Sequence, residues 1–453
     1  MYGMHLSQAL VFSASVFILI LATQWRYFHP FLVLVVIAPV FGAIAGYTTA
    51  QLGSFFGSGF SEKIYSPGLV IVAAALVSGL AESTGASDRL MAKFDRWRWL
   101  GSNWIAGFFG LVAGLGASPA AAFALLRPLL RPIGGAGLQN RQAASIASAL
   151  AISASHGLLL FAPVPVAAAA ILGAEWGRVA LFGLPLALLS AAFGAIFAGW
   201  ASRFETAKEL LPQEPQSGAE QRNGGSSVAL LLAAGIPLLM LIEQSLGDIP
   251  SEPLGGGTAR ELVLGIGRPL LLLLVGVAIM ILGNPRQGLG LLADPGWTRR
   301  VFGGVASVLL IVCAAGGLQR LCQLTGMAEM LGERTLAWHL GAFGVLIPFL
   351  AAAVIKTLQG SSSVAAITAA GMVQPVLSAI GLADANGTAL AALAIGAGAM
   401  TVSHVNDEYF WLVTESSAFR PLRGIAAVSL GTLLQGIIVA AVLLLLSLLL
   451  PHG

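Results

Sequence analysis

In a chain dominated by apolar runs, one short stretch carries the parts of an anion site: Lys356-Thr-Leu-Gln-Gly-Ser-Ser-Ser-Val364. A cation lies four residues before a Gly/Ser turn. Gly360 allows the chain to reverse. Ser361, Ser362 and Ser363 supply hydroxyls and, at the start of the next helix, N–H groups whose positive end favours negative charge. This set suits a carboxylate, with Lys356 as its counter-charge. A lysine near a membrane interface commonly reaches out to water, and serines commonly do no more than cap a helix. Lys356 lies far from either end of its hydrophobic segment, which favours binding.

The second constellation is Ser403-His-Val-Asn-Asp-Glu408. Polar and ionisable groups inside a membrane segment are costly unless hydrated or paired. His404 and Asp407 are three apart and share a face if the segment is helical. Two roles remain open: His404, Asp407 and Glu408 carry a proton, or Asn406 and Asp407 coordinate a cation. A membrane-surface loop capped by Asn and Asp would use the same residues; a matching His156 in the first half favours function. The first half offers Gly116, Ser118 and Pro119 at one turn and Ser155 and His156 at another, with Pro163 and Pro165 preventing a continuous helix beyond. The candidate substrate site is thus Lys356, Gly360, Ser361, Ser362, Ser363, Gly116, Ser118, Ser155 and Asn406. The candidate coupling groups are His404, Asp407, His156 and Glu408. Glu82 and the histidines 5, 29, 339 and 452 sit at span ends, where no specific role is expected.

The elements that must hold these residues are membrane helices. Of 453 residues, 57% are hydrophobic and 9% charged, against about 25% charged in soluble domains. The lipid bilayer is the implied solvent. The net charge of +3 is too small for a nucleic-acid footprint. Cys313 and Cys322 form neither a metal pattern nor a disulfide framework. There is no G-x-x-x-x-G-K-[ST] loop and no H-E-x-x-H, so no cofactor, catalytic residue or metal is expected, and energy should come from an ion gradient.

Spans of about 20 apolar residues are expected at 6–23, 31–50, 66–84, 179–200, 228–245, 262–282, 300–319 and 424–450. The first has no basic stretch before it, so it reads as a retained span rather than a cleaved leader. Four further stretches, 102–132, 140–174, 338–380 and 387–412, are interrupted by Gly, Pro, Ser and polar residues. Lys and Arg clusters at 89–98, 127–141, 286–300 and 420–423 mark cytoplasmic loops. Placing them inside puts both termini outside and makes 102–132 and 338–380 re-entrant hairpins from opposite faces. Residues 202–227 are charged and bear Pro and Gly, as expected of a cytoplasmic linker.

After that linker the first pattern returns. Leu80-Ala-Glu-Ser-Thr-Gly85 is echoed by Leu321-Cys-Gln-Leu-Thr-Gly326, Gly116-Ala-Ser-Pro119 by Gly360-Ser-Ser-Ser363, and Ala154-Ser-His156 by Val402-Ser-His404. The expected fold is an all-α polytopic membrane protein of two inverted-topology repeats, each with a re-entrant hairpin and a broken transmembrane helix. The halves are 1–201 (hairpin 102–132, broken helix 140–174) and 228–453 (hairpin 338–380, broken helix 387–412). Such transporters bind substrate at the midplane where broken helices meet.

Two of these motifs carry a resemblance. SHVNDEYFW at Ser403–Trp411 and KTLQGSSSVAAITAAG at Lys356–Gly371 resemble the gluconate permease family of the ion-transporter superfamily, with GLAESTGASDRL at Gly79–Leu90 and ASHG at Ala154–Gly157 fitting more loosely. The resemblance implies a proton-coupled permease of the bacterial inner membrane, importing gluconate or a related hydroxy acid, with two re-entrant hairpins and a homodimeric state. The first half departs from the pattern: the family's aromatic and acidic tip is Gly116-Ala-Ser-Pro119 here, and its His- and Pro-rich stretch is Leu158–Val166. The function expected is symport of a small hydroxylated carboxylate, with a proton favoured over sodium as coupling ion. The alternative is a cation/proton antiporter without organic substrate.

Overall fold

The computed structural model describes residues 29–115, 118–135, 137–160, 162–204, 225–247, 257–266, 268–325 and 343–450. Among these every regular element is a helix. The expected span 6–23, the tip residue Gly116, most of the linker and residues 338–342 lie outside them.

The first two described helices are α1 (Pro30–Ile44) and α2 (Thr49–Lys63). The expected span 31–50 therefore ends early. The chain turns at Gly46, φ 97°, and Thr48 opens a new helix through a capping box with Gln51. A π-helical turn at Ile64–Gly68 leads into α3 (Leu69–Thr84), which bends by 86° into α4 (Ala86–Phe94). Next come α5 (Ser102–Ala113), α6 (Pro119–Gly134), α7 (Leu138–Leu158), α8 (Pro163–Leu172) and α9 (Trp176–Ala201).

The second half holds α10 (Ser227–Gly247), α11 (Thr258–Ile266), α12 (Pro269–Gly283), α13 (Pro285–Leu292) and α14 (Pro295–Leu324). The expected span 262–282 is broken by a 55° bend between α11 and α12, because Pro269 starts a helix rather than continuing one. The chain then forms α15 (Leu346–Gln359), α16 (Ser362–Val373), α17 (Ala385–Ala399) and α18 (Glu408–Ser416). Finally α19 (Pro421–Gly424) runs through a π-helical turn at Ile425–Ser429 into α20 (Leu430–Leu449).

Several of these helices face lipid. Along α9, Leu181, Leu184 and Leu188 are exposed while Val179, Leu186, Ala187 and Ser190 are buried. The helix presents apolar side chains on both sides, and α12 and α20 do the same with Leu270, Leu274 and Leu282 and with Ile437, Leu445 and Leu448. Exposed apolar surface of that extent has no place in water. Among the described residues five helical stretches are long and apolar enough to cross a bilayer, or seven if each bent pair is one span. The protein is a multi-pass membrane protein.

The interior pairs helices in a recurring way. Helices α5 and α6 pack against each other and both against α7; α15 and α16 do the same with α17. The short helices beyond the breaks then cross over, α8 packing on α16 and α18 on α6. Helices α7 and α17 meet where both carry glycine: a Cβ on Gly396 would lie 1.9 Å from the carbonyl oxygen of Gly157.

Candidate functional site

The break between α17 and α18 is held open by hydrogen bonds that replace helical ones. Val402 takes φ 45°, and the Ser403 N–H donates to Thr432 Oγ1 at 3.2 Å. Trp411, fully buried, donates its indole N–H to the Val405 carbonyl at 2.8 Å. Non-helical backbone survives at membrane depth only when paired in this way. Asp407 then caps α18, accepting from the Tyr409 N–H at 2.9 Å.

The turn between α15 and α16 faces that break. Gly360 has φ 79°, and a Cβ there would lie 2.2 Å from the Asn406 carbonyl oxygen, so only glycine fits. Ser361 caps α16, its hydroxyl accepting from the Val364 N–H at 3.4 Å. Lys356, in the last turn of α15 and 2% exposed, donates from Nζ to the Gly360 carbonyl and to Asp407 Oδ2, each at 2.6 Å. The Ser403 hydroxyl donates to the same Asp407 oxygen at 2.7 Å.

These groups line a cavity of about 320 Å³. One wall is Lys356, Gly360, Ser361, Ser362, Ser363, Ser403, Asp407 and Glu408; facing it are Ser118 and Pro119 from the start of α6 and Ser153, His156 and Gly157 from α7. Three helices, α6, α16 and α18, begin at the cavity with capping side chains from Ser118, Ser361 and Asp407. Their N-terminal ends add partial positive charge. The arrangement has the chemistry of an anion site whose counter-charge is already occupied by a carboxylate of the protein.

A model of GntP family permeases matches residues 6–449. The chain belongs to that family. Its relatives include the gluconate permease of Pseudomonas aeruginosa, 28% identical over 429 residues and covering 92% of both chains. The Gnt-II system L-idonate transporter of Escherichia coli is 26% identical over 416 residues, covering 89% of this chain and 90% of that one. The D-serine transporter DsdX of Escherichia coli is 24% identical over 409 residues, covering 88% and 89%. The C-terminal motifs that resembled gluconate permeases thus mark membership of the family.

In this permease the sequence motifs converge only in part. Lys356, Gly360, Ser361, Ser362, Ser363, Ser118, His156, Asp407 and Glu408 share the cavity. Asn406, expected to bind substrate, instead donates its amide to the carbonyls of Thr357 and Leu358 at 3.0 and 3.1 Å and stays outside the lining. His404 likewise bonds through Nε2 to the Thr357 carbonyl at 2.7 Å. Both hold the turn before Gly360 against the break. Ser155 is fully buried and does not reach the cavity. The echo of His156 in His404 also fails at the level of structure: α7 remains helical through His156, whereas α17 ends at Ala399, ahead of His404.

The polar lining residues outside the sequence candidates include Ser153 of α7, Glu62 and Lys63 from the end of α2, and Tyr65 just beyond. Lys63 Nζ lies 3.3 Å from Glu408 Oε1 and 3.4 Å from Glu62 Oε1. Their helix is rich in Gly and Ser and has low hydropathy, so its composition does not predict a span. The Thr48/Gln51 capping box is the signal that marks it. Glu82, expected at an interface, pairs with Arg131 at 2.9 Å with both side chains partly exposed.

Proposed function

We propose that the protein is a secondary active transporter of the bacterial inner membrane, importing a small hydroxylated carboxylate together with a proton. The observation that carries this reading is the Lys356–Asp407 pair, 2.6 Å long and buried, on the wall of the cavity. The named cargoes of the relatives, gluconate, L-idonate and D-serine, share a carboxylate and at least one hydroxyl on a short carbon chain.

Charge balance supplies the coupling. Glu62, Asp407 and Glu408 line the cavity with Lys63 and Lys356, so carboxylates already outnumber ammonium groups. A substrate carboxylate placed beside an ionised Asp407 would be opposed by about 4 kcal/mol at 4 Å and an effective dielectric of about 20, roughly a thousandfold in affinity. Protonation of Asp407 removes that opposition and releases Lys356 to the substrate. Ser361, Ser362 and Ser363 then offer donors to the carboxylate, and Ser118, Ser153 and His156 offer partners to its hydroxyls. Asp407 and Glu408 are each already paired with a lysine, which disfavours a bare metal cation as cargo.

The paired architecture supports alternating access. The α5–α6 and α15–α16 pairs are read as re-entrant hairpins of two inverted repeats, supported by the equivalent packing of each pair on its broken helix and by the crossed packing of α8 on α16 and α18 on α6. Uptake by proteoliposomes under an inward proton gradient tests the function. Radiolabelled gluconate should accumulate, and a protonophore should abolish accumulation; accumulation that is indifferent to the protonophore, or requires sodium, refutes proton symport.

A further inference from the structure

The cavity holds a second lysine–carboxylate pair. Lys63 and Glu408 are both largely buried, with side chains 13% and 15% exposed, and lie 3.3 Å apart. Lys63 comes from α2 and Glu408 is the first residue of α18, directly after Asp407. The two pairs differ in closure. Lys356–Asp407 is short and reinforced by Gly360 and Ser403. Lys63 instead divides its charge between two longer contacts, and one of those, Glu62, is 67% exposed. The second oxygen of Glu408, Oε2, is buried without a hydrogen-bond partner. A buried carboxylate oxygen without a donor costs stability. Either a proton on Glu408 or a hydroxyl of a bound molecule would relieve it.

We propose that Lys63 is a second carboxylate subsite, so that the preferred cargo is a short hydroxylated dicarboxylate of the aldaric type. This rests on the organic-acid reading above and assigns its substrate class. One substrate carboxylate replaces Asp407 at Lys356, and the other replaces Glu408 at Lys63. Each displaced protein carboxyl takes up one proton, so a dianion enters with two protons and no net charge. The titratable groups facing Glu408 across the cavity are Lys63, Glu62 and Tyr65 from the α2 side, His156 from α7 and Lys356 from α15. Its own neighbours are Asp407 and Tyr409. A cavity of about 320 Å³ lies at the small end of ligand pockets, about 300–1,000 Å³, and suits a short diacid.

The test uses the full-length protein, purified and reconstituted, with tartrate and glucarate set against their single-carboxylate counterparts, threonate and gluconate. The diacids should bind at least tenfold more tightly than the monoacids. Lys63→Gln should weaken diacid binding about 30-fold, on the scale of losing one partner of a buried charge pair. It should weaken monoacid binding far less, so the preference reverses, and Lys63→Arg should restore it. Glu408→Gln should lower the protons taken up with a diacid from two to one, which a purely structural pair would not do. Monoacids binding as well as diacids, with a preference unmoved by Lys63→Gln, overturns the subsite and leaves the organic-acid reading standing. Binding of neither class overturns both.

Discussion

Replacing Asp407 with asparagine separates the charge of the buried pair from its shape. Asparagine retains an oxygen to accept from the Tyr409 N–H, so the α18 cap survives. What is lost is the negative charge 2.6 Å from Lys356 Nζ, leaving an ammonium that is 2% exposed with the Gly360 carbonyl as its remaining close partner. Breaking a buried pair in this way destabilises by about 3–5 kcal/mol. The loss should appear as a lower unfolding temperature in detergent. Lys356→Met combined with Asp407→Asn should recover part of it, giving a coupling energy of about 2–3 kcal/mol in a double-mutant cycle. The variant should also bind a substrate carboxylate more tightly than the parent protein, since the anion then neutralises Lys356 without competition. Counterflow exchange should persist while proton-driven accumulation disappears. An Asp407→Asn protein as stable as the parent, or additive with Lys356→Met, would refute the reasoning, as would loss of carboxylate binding in a folded variant.

Gly396→Ala drives a methyl group into the Gly157 carbonyl at the α7–α17 crossing and should cost about 1–3 kcal/mol in a thermal melt. Gly371→Ala, inside α16 with nothing within 4 Å of the added carbon, should instead gain up to about 1 kcal/mol. Gly360→Ala combines left-handed backbone with a contact to the Asn406 carbonyl; substrate affinity measured by calorimetry should fall more than about tenfold, the scale of 1.4 kcal/mol. Arg131→Gln breaks the half-exposed pair with Glu82 and should change stability by less than about 1 kcal/mol, with uptake rates retained.

The sequence made the C-terminal wall of the cavity legible because its residues break strong local rules. A lysine within an apolar run, a glycine followed by three serines, and an acidic cluster inside a membrane segment are each unfavourable unless something pairs them. Lys356, Gly360 and Asp407 are indeed paired by one another, though with Lys356 facing a carboxylate of the protein rather than waiting unoccupied. Two helix starts were legible for a similar reason, at Pro119 and Pro163, whereas the bend before Pro269 falls inside the expected span 262–282. Roles that depend on direction were not. Asn406 and His404 lie in the right segment, but backbone geometry at Val402 turns them toward the Thr357 carbonyl, and no spacing rule reports that. Lys63 was hidden for the opposite reason: its helix has the composition of a loop, and tertiary packing against α14, not hydropathy, keeps it inside the protein.

The central claim is that a substrate carboxylate takes Lys356 only as Asp407 accepts a proton. Proton uptake on ligand addition to the purified protein, read with a pH indicator in weakly buffered solution, measures this directly. With a saturating monocarboxylate such as gluconate, the account gives one proton bound per site in the parent protein and none in Asp407→Asn. Gluconate binding with no proton uptake in the parent, or with the same uptake in the variant, would contradict it.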